Sequence, residues 1–325
     1  MAEARSSWVR PWLKAFWSHW EAKAGAAILA IFTVMAFGHP ILLGTAWRES
    51  IYDPRAGYDP FIRHPSTPSW QHFLGTDAFG KDTFSMLMAG ITPSLIAGTV
   101  AAIVTSVVGL AVAAAGATSR RADRSLGLLV DAALYIPVPV VMLILGADPR
   151  ADRLTPFVFG LLFGLLTGLS AGALVMRGHA LPIMAAGYVD AARISGASTR
   201  QVIGRHLLPS LVPLAGVYMV LGAAGAVVTQ GFLSWLSYTA TYSDWGTLVY
   251  WAIVTKDLTG APQWAALIAA GAALSLLTLG FHLIAVGFRR AAHAPLTGKV
   301  ALPKPKAGAA PLTKPAVEAG QIRQR

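Results

Sequence analysis

The sequence predicts an all-α, polytopic membrane protein with six crossings. Three observations carry that prediction. The 325 residues are 55% hydrophobic and 13% charged, with a mean hydropathy of +0.56, whereas a soluble domain covers itself with about 25% charged residues. The apolar residues gather in six runs, roughly 25–46, 94–117, 126–147, 155–176, 211–234 and 264–288, each close to the ~20 residues a helix needs to cross the hydrocarbon core. Basic residues collect in alternate connections between those runs.

The first run follows a basic segment, as a secretory leader would, but its apolar stretch is longer than a leader's. It is therefore expected to be an uncleaved anchor. With the N-terminus inside, 19 of the 26 Lys/Arg fall on the inner side and seven on the outer, while nine acidic residues lie outside and five inside. Basic residues near helix ends resist translocation, so both termini are assigned to the cytoplasm. The net charge of +11 is then a topology signal. It matches anionic lipid headgroups, so membrane lipid and no nucleic acid is the expected partner. Cysteine is absent, which excludes disulfides, thiolate catalysis and cysteine zinc sites, and asparagine is absent, which excludes N-glycosylation.

Three regions follow. Residues 1–24 form a cytoplasmic N-terminal segment in which Trp8, Trp12, Phe16 and Trp20 recur every four residues, with Arg10, Lys14 and Lys23 off that stripe; this suits a helix lying in the membrane interface. Residues 25–290 form the six-helix domain, with an extracytoplasmic loop at 47–93 and a cytoplasmic loop at 177–210. Residues 291–325, rich in Ala, Pro and Lys, offer too little apolar surface to offset ordering entropy and are expected to be a disordered basic tail.

The most informative stretch runs from Gly187 to Pro209 and predicts helix, turn, helix. Gly196 can adopt the left-handed conformation that ends the first helix. Ser198 and Gln201 form the S-x-x-Q capping box that starts the second. Pro209 is expected to limit its continuation before the next crossing. Asp190, Ala191, Ala192, Gly196 and Pro209 resemble the EAA loop of ATP-binding cassette importer permeases, with Asp190 in place of the usual Glu. That resemblance implies a coupling helix seated in a groove of an ATPase subunit, using Asp190, Ala191, Ala192, Arg193, Gly196, Ala197 and Arg200. The small alanines allow close approach, and Arg193, Arg200 and Arg205 can meet carboxylates on a partner.

A second motif precedes the second run: Leu74, Gly75, Thr76, Asp77, Gly80, Lys81, Asp82 and Ser85. It resembles the Leu-Gly-Thr-Asp-x-x-Gly-Arg-Asp-x-x-Ser segment of the second permease of dipeptide, oligopeptide and nickel importers, with Lys81 where Arg is usual. The same residues approach a phosphate loop, but Asp82 replaces the hydroxyl and no strand precedes, so that reading is rejected. Leu233-Ser234-Trp235-Leu236 and Ser243-Asp244-Trp245-Gly246 also resemble family segments. Residues 237–242 between them depart from the family pattern, which leaves both altered binding-protein docking and simple loop packing open.

Asp131 lies within the third crossing, where an ionisable residue is a functional candidate. Pairing with Arg124 is preferred over a proton relay. Pro137 and Pro139 are expected to kink this helix. Gly160, Gly164, Gly168 and Gly172 form a ribbon for close helix approach, within the subunit or against a second permease. His39, His179, His206 and His282 lack metal-ligand spacing.

The resemblance covers about 70–290. It implies the type I importer permease fold in a bacterial plasma or inner membrane, paired with a homologous second permease, two ATP-binding subunits and an extracytoplasmic solute-binding protein. It assigns no catalytic residue, metal or cofactor to this chain, because ATP and magnesium belong to the partner ATPase. Peptides are the first expected solute, ahead of nickel chelates. The alternatives are an ion-driven secondary transporter and a membrane-embedded enzyme using Asp131, His39 or His282, for which the sequence supplies no catalytic constellation.

Overall fold

The computed structural model describes residues 9–146, 155–237, 244–255 and 263–293. Among these there are helices and no strands. Five helical runs are long and apolar enough to cross a membrane: Trp20–Thr45, Thr83–Gly116, Pro156–Met184, Thr199–Leu236 and Trp264–Ala291. The sixth predicted crossing corresponds to a bent pair, Arg120–Leu134 and Val138–Gly146, which meet at 67° and are long and apolar enough to cross only when taken together. The predicted kink is therefore present, and its cause is local. Pro137 and Pro139 offer no amide hydrogen to the carbonyls of the preceding turn and crowd it, so Tyr135 and Ile136 close short three-residue turns onto Ala132 and Ala133 before the helix restarts.

In chain order the helices are α1 (Val9–Ser18), α2 (Trp20–Thr45), α3 (Glu49–Tyr52), α4 (Thr83–Ala89), α5 (Ile91–Gly116), α6 (Arg120–Leu134), α7 (Val138–Gly146), α8 (Pro156–Thr167), α9 (Ala173–Met184), α10 (Gly187–Ile194), α11 (Thr199–Val202), α12 (Leu208–Ser237), α13 (Trp245–Val254) and α14 (Trp264–His293). Two π-helical turns, Gly168–Gly172 and Ile203–Leu207, join α8 to α9 and α11 to α12.

The central pair is α5 and α12; α8 packs on α5, α14 on α12, and α2 on α14. Small residues set this spacing. A Cβ added to Gly164 would sit 2.8 Å from the Ala101 carbonyl oxygen, and one on Gly168 would sit 3.0 Å from that of Thr105. The glycine ribbon of α8 is thus a packing face for α5 of the same chain, where backbone contact stands in for the hydrophobic force that lipid does not provide. The crossing α12·α14 is filled by Val220, Ala223, Val227, Leu277 and Phe281, all buried.

At the N-terminus the aromatic stripe is divided. The chain turns at His19, so Trp20 opens α2 and is exposed, while Phe16 is buried against Phe288 at 5.0 Å with Ala22 and Ala291. Phe16 thus binds α1 to α14 instead of facing lipid. Glu21 meets Arg290 at 2.5 Å beside this contact. The side chains of Trp8 and Trp12 and the tail beyond His293 lie outside the described residues.

Candidate functional site

The Gly187–Leu207 segment forms a hairpin at one end of the bundle. Helix α10 ends in a Schellman motif: Gly196 has φ +89°, its amide bonds to the Arg193 carbonyl at 3.0 Å, and the Ala197 amide bonds to Ala192 at 3.0 Å. Helix α11 then starts from the predicted capping box. The Gln201 amide donates to Ser198 Oγ at 3.3 Å, and the Ser198 amide donates to Gln201 Oε1 at 2.8 Å. Val189 and Val202 are fully buried and fix the two arms. Asp190, Ala191, Arg193, Gly196 and Arg200 face outward, Ala192 and Ala197 are half-buried, and Ile194 is 88% exposed. Asp190 reaches Arg193 at 3.4 Å, a surface contact that contributes little.

Pro209 does not end a helix. Residues 199–236 run as one span, because the π turn Ile203–Leu207 widens the helix just where the proline ring and its missing amide would otherwise break it. The hairpin is also shorter than the 177–210 loop predicted from sequence, since α9 continues to Met184.

The hairpin end carries one strong cross-link. Arg177 on α9 donates to Asp123 on α6 through Nε at 2.6 Å and Nη2 at 3.2 Å. Gly127 makes room for it, since a Cβ there would lie 2.7 Å from the guanidinium. The expected Asp131–Arg124 pair does not form. Seven helical residues separate the two along the axis by about 10 Å, and Asp131 sits on the exposed face of α6 without an ion pair among the described residues.

The opposite end holds a compact polar knot. Gly75 and Gly80 take φ of +76° and +83°, values that L side chains resist. Between them Asp77, buried, accepts the amides of Phe79 at 2.9 Å and Lys81 at 2.8 Å. Thr76 Oγ1 accepts the Ser66 amide at 2.9 Å and meets His64 Nδ1 at 2.8 Å. Asp82 caps α4 by accepting the Ser85 amide at 2.6 Å. Its other oxygen lies 2.8 Å from His72 Nδ1, while Asp59 lies 3.2 Å from His72 Nε2. All three side chains are buried. Filling both bonds takes one proton more than a neutral imidazole between two carboxylates carries. Burial pushes the Asp77 and Asp82 carboxyls up, whereas the Phe61 amide holds the Asp59 carboxyl down. From this knot Ser85 Oγ continues to the Tyr52 carbonyl at 2.5 Å and to His39 of α2 at 2.9 Å. The loop that resembles a phosphate cradle therefore turns its polar groups onto itself.

The third motif closes the same end. Ser234 Oγ donates to Asp244 at 2.5 Å, Asp244 caps α13 through the Thr247 amide at 2.8 Å, and a Cβ on Gly246 would fall onto the Gly231 carbonyl. Residues 238–243, which include most of the stretch that departs from the family pattern, lie outside the described residues.

Residues 105–292 match the family model described as binding-protein-dependent transport system inner membrane component. That is more than half of the chain. The chain belongs to this family. The permease is 27% identical over 290 residues to the glutathione transport system permease protein GsiD of Pectobacterium atrosepticum, covering 88% of this chain and 91% of that protein. It is also 27% identical over 231 residues to the oligopeptide transport system permease protein OppC of Mycobacterium tuberculosis, covering 70% and 76% respectively. The permease is thus a multi-pass transmembrane transport component of the ATP-binding cassette class in a bacterial cell membrane.

Sequence reasoning located the three motifs of the permease but missed Asp59, His64, Ser66 and Tyr52, which complete the polar knot. No short pattern marks them. The one available signal was that five of the fifteen acidic residues fall in one connection between two apolar runs.

Proposed function

We propose that the permease forms half of the translocation pathway of a peptide importer and that the α10–α11 hairpin is where ATP-driven work enters. The observation that carries this reading is the continuity of the hairpin with α12. The second arm of the hairpin runs through Ile203–Leu207 into the crossing that packs on both α5 and α14, so a push on the exposed tip moves a central helix without an intervening flexible joint. The tip supplies a docking surface of suitable chemistry: exposed Ile194, small Ala191, and Arg193 and Arg200 for acidic neighbours.

On this reading the hairpin end is cytoplasmic, in accord with the distribution of basic residues. Two separate ATP-binding subunits hold ATP and magnesium, a homologous permease supplies the other half of the pathway, and a solute-binding protein delivers at the knot end. Peptides are the proposed cargo because the relatives above are named for glutathione and oligopeptide transport.

The test replaces Asp190 and Ala191 together with Lys (D190K/A191K) and, separately, Gly196→Val, which forces a β-branched side chain into a left-handed position at a cost of about 1–2 kcal/mol. Both variants should insert in the membrane normally, fail to co-purify ATPase subunits, and lose peptide uptake. Normal uptake by both would overturn the proposal.

A further inference from the structure

The N-terminal turn of α6 gathers a charge that the transport reading does not use. Arg120, Arg121 and Arg124, with Ser125 and Leu128, line a surface concavity of about 270 Å³. These positions share one face of the helix, and all five are exposed. The first turn contains a single carboxylate, Asp123, and it is committed to Arg177 at 2.6 Å on the inward face. Among the described residues no carboxylate pairs with any of the three arginines. Three unneutralised guanidinium groups therefore stand at the positive end of a helix, where they oppose both one another and the helix dipole.

An anion in the concavity removes that opposition, and guanidinium groups match phosphate oxygens in pairs. The surroundings say which phosphate. Beside the exposed Asp131 on this side, α6 carries Leu128 and Leu129, 68% and 48% exposed, and ends on Leu134 and Tyr135 at 43% and 88%. The arginine cluster is followed by a mainly apolar exposed surface interrupted by Asp131 about 10 Å beyond Arg124, the order of polarity met on passing from a headgroup into an acyl chain. We propose that Arg120, Arg121 and Arg124 form a binding site for the phosphate of an anionic phospholipid, with Leu128 and Leu129 against its acyl chains. Asp123 and Arg177 keep this site open by removing the carboxylate that would otherwise fill it.

The test uses the full-length permease in detergent, titrated with phosphatidylglycerol or phosphatidylcholine of identical acyl chains and followed by native mass spectrometry. Wild type should retain phosphatidylglycerol about a hundredfold better, the combined effect of three arginines near an anionic surface. In R120Q/R121Q/R124Q the preference should vanish, and in R124Q it should fall partway, which covers the case of a triple variant that folds poorly. The preference should persist in R48Q/R55Q, two exposed arginines at the opposite end. Equal retention of both lipids by wild type would overturn the site. So would equal loss in R48Q/R55Q, which would mark unspecific charge. Displacement of the lipid by glycerol 3-phosphate at matched concentration would assign the site to a free phosphate instead. Unchanged lipid retention in R120Q/R121Q/R124Q with loss of co-purifying ATPase subunits would assign the arginines to a protein partner.

Discussion

Trp245 Nε1 donates to the Leu87 carbonyl oxygen at 2.8 Å, joining segments 158 residues apart. The indole is 1% exposed and rests on Gly90, where a Cβ would come within 2.6 Å of the ring. One side chain thus fastens the Ser-Asp-Trp-Gly motif to the helix that follows the Gly-Thr-Asp motif.

Trp245→Phe keeps most of the ring volume and leaves the Leu87 carbonyl unsatisfied, for an expected loss of about 1–2 kcal/mol. Trp245→Ala adds a cavity and should cost about 3–5 kcal/mol. Thermal unfolding in lipid nanodiscs separates the two, and equal losses would mean that the indole packs without bonding.

The glycine ribbon makes a steric prediction. Gly164→Leu places a branched side chain against the Ala101 backbone and should part α8 from α5, with poor yield of folded protein. Gly178→Ala on α9, where nothing lies within 4 Å of the added Cβ, should leave yield and melting temperature unchanged. A well-folded Gly164→Leu protein would show that this helix pair tolerates a wider spacing.

His72→Ala strands two buried carboxylates. Breaking a buried pair of this kind costs about 3–5 kcal/mol, so residues 58–82 should become sensitive to protease while the crossings remain intact. Adding D59N/D82N removes the stranded charges and should recover part of the resistance. If the triple variant is no more resistant than His72→Ala, the charges are not what the histidine offsets.

The same knot should respond to pH with a definite sign. Burial raises Asp77 and Asp82 above the ordinary aspartate value of 3.8, so between 3.8 and those raised values the folded segment holds more protons than the unfolded chain. Their contribution to stability therefore grows as pH falls through that window. Asp59, held below 3.8, works the opposite way; its contribution is present above 3.8 and is lost as pH falls through its lowered value. Amide exchange within 58–82, corrected for intrinsic rates, should slow as pH falls through the raised values toward 3.8. D77N/D82N should abolish the slowing.

Much of the hairpin was legible because its signals are local. A left-handed glycine and a capping box act within four residues of themselves, so Gly196, Ser198 and Gln201 could be assigned without tertiary information. Pro209 misled because a π turn upstream can absorb a proline, and nothing in a short window distinguishes absorption from termination. Asp131 misled for a different reason: an ionisable residue in an apolar run suggests a buried partner, but only the packing shows that it stands on the exposed face of α6 with no ion pair among the described residues.

By itself the sequence determined the all-α class, the crossings, the kink at Pro137 and the three family motifs, since hydrophobic run length, proline geometry and helix caps are properties of the chain over one element. Only the tertiary structure decided that the ribbon of α8 meets α5, that Phe16 turns onto Phe288, that Asp123 takes Arg177, and that Asp59, His72 and Asp82 close one knot. Each of these joins residues from separate elements, and their distances are set by how whole helices pack, a quantity to which every residue contributes and which no short segment encodes.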